Sequence, residues 1–152
     1  MKTTASTNLD LTIQRAIRAS DLPSRQQLVR WIRAVGNGPA VLTLRFVDAE
    51  EGRATNASWR GRDYATNVLS FAYETEPVLM GDLMLCWPVV RKEAAEQGKS
   101  VEEHTAHLVV HGLLHLCGHD HEEGEAQAEE MESIEREVMA RLGYADPYAD
   151  EH

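Results

Sequence analysis

The sequence lacks any apolar stretch long enough to cross a membrane. A spanning helix needs about 20 consecutive apolar residues, and the most apolar run, from Val78 to Val90, is interrupted by Gly81, Asp82 and Pro88. The first ten residues, MKTTASTNLD, also lack the apolar core of a secretion signal. These absences predict a cytoplasmic protein that has no membrane partner.

Cysteine is scarce as well, since the 152 residues include only Cys86 and Cys117. Two cysteines do not make a disulfide framework, and a cytosolic setting keeps thiols reduced. We therefore expect both to be free thiols buried in the core.

Positive charge is nearly absent from the last third of the chain. Residues 101–152 carry 2 Lys and Arg against 14 Asp and Glu, whereas residues 1–100 carry 13 against 11. A net charge of -10 does not suit a nucleic-acid binder, so a surface for a polyanion would have to be locally basic and lie upstream of residue 101. We interpret the acidic third as the solvated face of a helix, formed by Glu122, Glu123, Glu125, Glu129, Glu130, Glu132, Glu135 and Glu137.

Hydrophobic periodicity predicts strands in the first half of the chain and helices in the second. Strands are expected at residues 9–17, 40–47, 66–73 and 82–87, with the last two forming a hairpin. Helices are expected at residues 21–36, 88–98, 100–118 and 125–142; residues 48–63 show a weaker helical pattern that ends in a loop containing Arg60. This order favours an α+β class, with residues 1–152 in a single domain, a core at about 8–143 and a frayed tail.

Histidine is concentrated in one place, because six of the seven lie between residues 104 and 121. His111 and His115 are four residues apart and therefore share one face of the predicted helix. Both can aim a ring nitrogen at one metal ion. His104 and His107 lie at least one turn upstream, so we expect them to be structural or to support the ligands.

A third ligand requires the chain to turn back. Eight residues further along the same helix would lie about 12 Å away along the axis, so the helix has to end first, and Gly118 supplies the break. The third ligand is then His119 or His121, and spacing does not choose between them. Three imidazoles leave one position open, which is typical of catalytic zinc, and Asp120 would accept a ring N–H of a ligand.

The residue after the first of these histidines excludes one common zinc chemistry. Zinc peptidases of the HExxH type carry a glutamate general base at that position, and here it is Gly112. The absence favours a reaction in which the metal and a cation stabilise most of the charge, such as phosphodiester cleavage.

The stretch HGLLHLCGHDH resembles the H-G-x-L-H-L-x-G-Y-D-H signature of the YbeY family of bacterial endoribonucleases. Upstream, TNASWRGRDYATNVLSFAYE resembles that family's N-x-x-x-R…T-[DN]-V-L-S-F segment, MGDLMLC its L-G-D-I strand, and LPSRQQLVRWI its first helix. The resemblance spans residues 8–143. It implies a mixed four-stranded sheet packed with about five helices, one of them a zincin-like metal helix.

The resemblance also implies roles for individual residues. The metal ligands of the family fall on His111, His115 and His121, and its catalytic residues on Arg60 and His111. His119 stands where the family usually has tyrosine. The guanidinium of Arg60 would grip a phosphate bidentately.

The function implied is that of a zinc-dependent, single-strand-specific endoribonuclease with one zinc per chain, acting in 16S rRNA 3′-end maturation and ribosome quality control. Its partners would be ribosomal RNA and either small-subunit proteins or an assembly GTPase, with Arg62, Arg91 and Lys92 extending a basic path for the RNA. The alternatives are a ribosome-assembly binding factor whose zinc is structural, and a zinc hydrolase of a peptide or amide bond.

Overall fold

A computed structural model describes residues 8–119 and 124–149 of the chain. Its four strands are β1 (Leu9–Arg15), β2 (Ala40–Val47), β3 (Val68–Glu74) and β4 (Leu79–Cys86). They form one sheet in the order β1-β2-β4-β3, in which the first three of that order run parallel and β3 is the antiparallel edge strand.

Five helices complete the described part of the chain: α1 (Arg25–Val35), α2 (Ala49–Arg60), α3 (Trp87–Glu96), α4 (Val101–Leu116) and α5 (Glu125–Arg141). The expected α+β class, with a mixed four-stranded sheet and five helices, is confirmed. The expected hairpin of the last two strands is also confirmed, since β3 pairs antiparallel with β4.

Helix α4 lies at the centre of the packing. It contacts α1, α3, α5 and the two strands β3 and β4. Because neighbours surround it, most of its circumference is apolar and buried, and the buried residues are His104, Thr105, Ala106, Leu108, Val109, Val110, Gly112, Leu113, Leu114 and Leu116. His111 and His115 lie on the remaining, half-buried face.

Two elements differ from the expectation. Helix α2 is complete where only a weak pattern was expected, and it carries Arg60 in its last turn instead of in a loop. Local signals account for this, since the side chain of Asp48 caps the first turn and Gly61 ends the helix at a φ of 69°. Strand β4 begins three residues early, at Leu79, because it pairs with the whole length of β2.

One further expectation is corrected by burial. Cys86 is buried as expected, but Cys117 is exposed, at the position after the last residue of α4. Of the tail that was expected to fray, residues 145–149 are described, and within them the amide of Tyr148 donates to Asp146. Just before the tail, the hydroxyl of Tyr144 accepts from the indole of Trp31 and donates to Glu102.

No helix within residues 8–119 and 124–149 combines the length and the apolar character that a membrane crossing requires.

Substituting Gly81 by alanine is expected to destabilise the fold. A Cβ at this position would lie 2.9 Å from the carbonyl oxygen of Phe71 and 2.8 Å from Cδ2 of Leu116. The backbone oxygen cannot move without disturbing the β3–β4 pairing, so we expect a loss of about 1–3 kcal/mol in the free energy of unfolding. Urea titration measures it. Gly36→Ala is the control, because no atom lies within 4 Å of its added Cβ, and an equal effect of both substitutions would contradict the prediction.

Candidate active site

The two histidines four residues apart on α4 converge at their ring tips. The Nε2 atoms of His111 and His115 are 3.1 Å apart, and their ring centroids are 4.6 Å apart. Two nitrogens bound to one tetrahedral zinc at about 2.0–2.1 Å would be separated by about 3.3 Å. The observed spacing is close to this value. The prediction that the two rings share one face of α4 is confirmed, and their binding of a metal stays a prediction.

Behind these rings lies a buried carboxylate that sequence reasoning placed elsewhere. Glu135 of α5 is 1% exposed, so its assignment to the solvated acidic face was wrong. One of its oxygens, Oε2, is 3.3 Å from Nδ1 of His111, and the other, Oε1, contacts Nε2 of His107. The hydroxyl of Tyr148 donates to the same Oε1 at 2.7 Å.

The charge state of Glu135 sets the tautomer of His111. Burial opposes ionisation, but the hydrogen bonds with His107 and His111 and their charges outweigh it and lower the pKa of Glu135 to about 2. An ionised carboxylate only accepts hydrogen bonds, so Nδ1 of His111 is the donor. When His111 is neutral, its Nε2 then carries the lone pair that a metal needs.

A periodic signal for Glu135 was present in the sequence. Met131, Glu135 and Val138 follow the i, i+4, i+7 spacing of one helical face, and all three are buried. Among eight closely spaced glutamates this one lies in the apolar stripe. It therefore has to pair with polar groups of the neighbouring helix.

Of the two candidates for a third metal ligand, the structure describes only His119. His121, the ligand implied by the resemblance, and Asp120, its expected support, lie outside the described residues. His119 lines the same cleft as His111 and His115, and its Nδ1 is 3.6 Å from a carboxylate oxygen of Glu130. Within the described ranges, no three side chains of His, Cys, Asp or Glu are grouped for a metal ion.

The two histidines open onto a cleft of about 1010 Å³. One wall is formed by the end of α4 and the other by the end of α2 with the following loop and β3. Arg60 and Arg62 lie on the second wall. The structure thus brings Arg60 to the same cleft as His111 and His115, across some fifty residues of sequence. The lining residues are Trp59, Arg60, Arg62, Tyr64, Thr66, Asn67, Val68, Leu69, Ser70, Phe71, Ala72, His111, His115, Leu116, Gly118 and His119.

A buried asparagine holds the end of α2 in this position. The side-chain amide of Asn56, which is 0% exposed, donates to the carbonyl of Tyr64 at 2.8 Å. Arg53 and Asp63 close the same loop by a bidentate ion pair at 2.6 and 3.2 Å. Arg60, one turn after Asn56, is exposed, and its guanidinium has no hydrogen-bond or ion-pair partner in the described part of the chain.

The expected basic path is only partly assembled. Arg62 is exposed on the cleft wall beside Arg60. Arg91 instead pairs with Asp21 at 3.2 Å, and neither Arg91 nor Lys92 lines this cleft. The cationic surface at the cleft is therefore local to the end of α2.

The glycine after His111 faces the sheet. A Cβ on Gly112 would lie 2.8 Å from Cδ2 of Leu83 and 3.3 Å from Oγ of Ser70. Because α4 packs closely on the sheet here, a glutamate general base at this position would have to displace core side chains.

A second polar layer lies further back along α4. Nε2 of the buried His104 is 2.8 Å from Oε1 of Glu93, and the amide of Asn67 donates to the same oxygen at 3.0 Å. Burial opposes ionisation of Glu93, but the hydrogen bonds with His104 and Asn67 outweigh it and hold its pKa below the usual value. Asn67 also lines the main cleft, so this layer anchors the start of β3.

Comparison with known proteins gives a consistent picture. The family described as Endoribonuclease YbeY matches residues 12–143. A protein named Endoribonuclease YbeY from Methylibium petroleiphilum is 54% identical over 151 residues, covering 98% of this chain and 100% of the relative. One of the same name from Cupriavidus pinatubonensis is 55% identical over 138 residues, covering 89% and 68%. Among solved structures, TM1509 from Thermotoga maritima is similar with a TM-score of 0.59 and 26% identity, covering 90% of this chain and 97% of that one.

Substituting Glu93 by glutamine is expected to weaken the acid dependence of stability. The pKa of Glu93 is lower in the folded chain than in the unfolded one, so the carboxylate stabilises the fold above the unfolded pKa of about 4.3. That stabilisation is lost as the pH falls through the folded-state pKa. Urea titrations between about pH 6 and pH 3 should show wild type losing its advantage over Glu93→Gln. Glu96→Gln, at an exposed site on the same helix, is the control, and a pH-independent difference would contradict the prediction.

Proposed function

Since the chain belongs to the YbeY family of endoribonucleases, we propose that it is a zinc-dependent endoribonuclease that hydrolyses phosphodiester bonds of single-stranded RNA. One observation carries the proposal. A pair of convergent imidazoles and an arginine without a protein partner in the described chain line the same open cleft. Imidazoles suit a late first-row metal ion, and a guanidinium suits a phosphate.

We propose that His111, His115 and His121 hold one zinc ion. The support is the 3.1 Å spacing of the first two ring nitrogens and the carboxylate that orients His111. A zinc ion held there supplies Lewis acidity for charge on the oxygens of the scissile phosphate. His111 thereby acts both as a ligand and as a group at the reacting centre.

Arg60 is the proposed phosphate-binding residue. Its fork of N–H groups matches two phosphate oxygens, and charge developing on those oxygens strengthens the hydrogen bonds. Arg62, on the same wall, would contact a neighbouring phosphate of the strand. Trp59 lies beside Arg60, is 71% exposed and packs edge-on against Phe71 at 5.6 Å. An exposed indole next to cationic groups offers a stacking surface for an unpaired base.

The proposed substrate is ribosomal RNA, in 16S rRNA 3′-end maturation and ribosome quality control in the cytoplasm. The chain carries a net charge of -10, and its cationic surface at the cleft is small. Strong binding of a long RNA needs more phosphate contacts than this surface supplies. We therefore propose that small-subunit proteins or an assembly GTPase present the RNA to the cleft.

Removing one ligand is expected to weaken zinc binding and to slow cleavage. His115→Ala and His121→Ala should each weaken zinc binding and slow cleavage of a defined single-stranded RNA by about 10²-fold or more, because a bound metal contributes several kcal/mol of transition-state stabilisation. His119→Ala is the matched control and should retain zinc affinity. Isothermal titration and initial rates measure these effects, and circular dichroism checks that each variant is folded.

Three outcomes would contradict this assignment. Cleavage by folded His115→Ala at the wild-type rate would exclude the metal from the reaction. Loss of zinc binding in His119→Ala but not in His121→Ala would make His119 the third ligand in place of His121. If removal of zinc unfolds wild type while RNA binding is independent of Arg60, the metal is structural and the protein is a binding factor.

Replacing Arg60 is expected to reduce kcat without unfolding the protein. Arg60→Ala should lower kcat by about 10²–10³-fold, as the loss of one preorganised donor does elsewhere. Arg60→Lys should recover only part of it, since an ammonium keeps the charge and loses the bidentate fork. Arg141→Ala, an exposed position in the last turn of α5, is the control for lost positive charge. Equal rates for Arg60→Ala and Arg141→Ala would show that Arg60 has no role in the reaction.

A further inference from the structure

We propose that Tyr148 is a positioning residue of the metal centre, acting through Glu135 on His111. This inference rests on the proposed metal centre but not on RNA as the substrate. The hydroxyl of Tyr148 donates to Oε1 of Glu135 at 2.7 Å, and the other oxygen of the same carboxylate meets Nδ1 of His111 at 3.3 Å. A single carboxylate therefore connects the tail of the chain to a ligand ring.

The contacts of the Tyr148 ring hold it in a defined position. The ring stands edge-on to the ring of His107, with centroids 5.4 Å apart and planes at 89°. The guanidinium of Arg136 lies 5.4 Å from the centre of the Tyr148 ring. Since Arg136 follows Glu135 on α5, one helix holds both the ring and the carboxylate that its hydroxyl contacts.

The backbone around Tyr148 is held as well. The amide of Tyr148 donates to Oδ1 of Asp146 at 2.8 Å, and Arg136 contacts the same oxygen at 3.3 Å. Lys99 lies in the turn between α3 and α4, and its ammonium donates to the carbonyl of Pro147 at 3.3 Å. These bonds fix the segment against α4 and α5, so the phenol has little freedom to leave Glu135.

The physical need for this hydroxyl comes from the burial of Glu135. A buried carboxylate is stable only when its lone pairs are used by donors. His107 and His111 supply two N–H groups, and Tyr148 supplies the third donor. Without it, Oε1 would lose one of its two partners and the carboxylate would be less constrained in its rotation, so His111 would be less firmly oriented.

The position lies beyond the part of the chain that matches the family, which ends at residue 143. Tyr148 also lines, with His107 and His111, a second cleft of about 490 Å³ behind the metal centre. The tail around Tyr148 therefore forms part of the wall of this second cleft. Its hydroxyl adds a support that the matched segment does not contain.

Zinc affinity of the full-length chain tests the inference. Tyr148→Phe keeps the ring and its contacts with His107 and Arg136 and removes only the hydroxyl. Loss of a direct support of a ligand weakens metal binding by about 10–100-fold, and we expect about tenfold for this residue, which acts through Glu135. Competition with a chromophoric chelator measures the affinity, and ¹⁵N NMR of the His111 ring reports its tautomer and mobility.

Tyr144→Phe is the matched control. Tyr144 docks the same tail, but its hydroxyl meets Glu102 and Trp31, not the metal centre. We expect wild-type zinc affinity for Tyr144→Phe, even if it lowers the melting temperature. Glu135→Gln should weaken zinc binding at least as much as Tyr148→Phe, and the double variant should show no additive loss, because both substitutions act through one carboxylate.

Several outcomes separate the inference from the proposed function. Wild-type zinc affinity in Tyr148→Phe would overturn the inference, and so would an equal loss of zinc affinity in Tyr144→Phe. Neither result would contradict the proposed metal centre. Failure of wild type to bind zinc would overturn both. Zinc binding that depends on Tyr148 in a protein that does not cleave RNA would support the inference and overturn the nuclease assignment. If Glu135→Gln does not fold, the comparison of Tyr148→Phe with Tyr144→Phe decides alone.

Discussion

The buried carboxylate of Glu135 is the interaction on which the geometry of the candidate site depends. An ionised group that is 1% exposed has to be compensated by donors. Those donors come from two residues of α4, His107 and His111, so these bonds tie the register of α5 to that of α4. The same pairing fixes the donor nitrogen of His111. Packing of the two helices and orientation of the His111 ring are therefore one requirement.

The part of this arrangement that depends on neighbours in sequence was predictable. Spacing of four residues placed His111 and His115 together, and the helix ends where Gly118 takes a φ of 100°. Glu135 was not predicted, because eight glutamates in one segment have the appearance of a solvated face. Periodicity with Met131 and Val138 marked it, but the reason for burying a carboxylate there is His111, on another helix.

The position of Arg60 shows a second limit of sequence reasoning. The local signals for α2, a capping Asp48 and a terminal Gly61, were present and would have placed Arg60 at a helix end. That this end faces α4 follows from strand order. Because β3 is the edge strand beside β4 and packs on α4, the loop entering β3 lies next to the histidines. Strand order is not a local property of the chain. Only the family resemblance therefore indicated that Arg60 and the histidines belong to one site.

Gly112 connects the packing of α4 to the chemistry that the cleft can support. The residue after His111 lies so close to Leu83 and Ser70 that a side chain there would displace the packing of α4 on the sheet. A carboxylate base at that position would disturb the core, and a charged group that does share the cleft with the histidines is the cation Arg60. A neutral peptide gains little from a guanidinium in its ground state. A phosphodiester carries a full negative charge, which a cation such as Arg60 can bind before and during reaction. Close packing at one glycine thus favours an anionic substrate at this cleft.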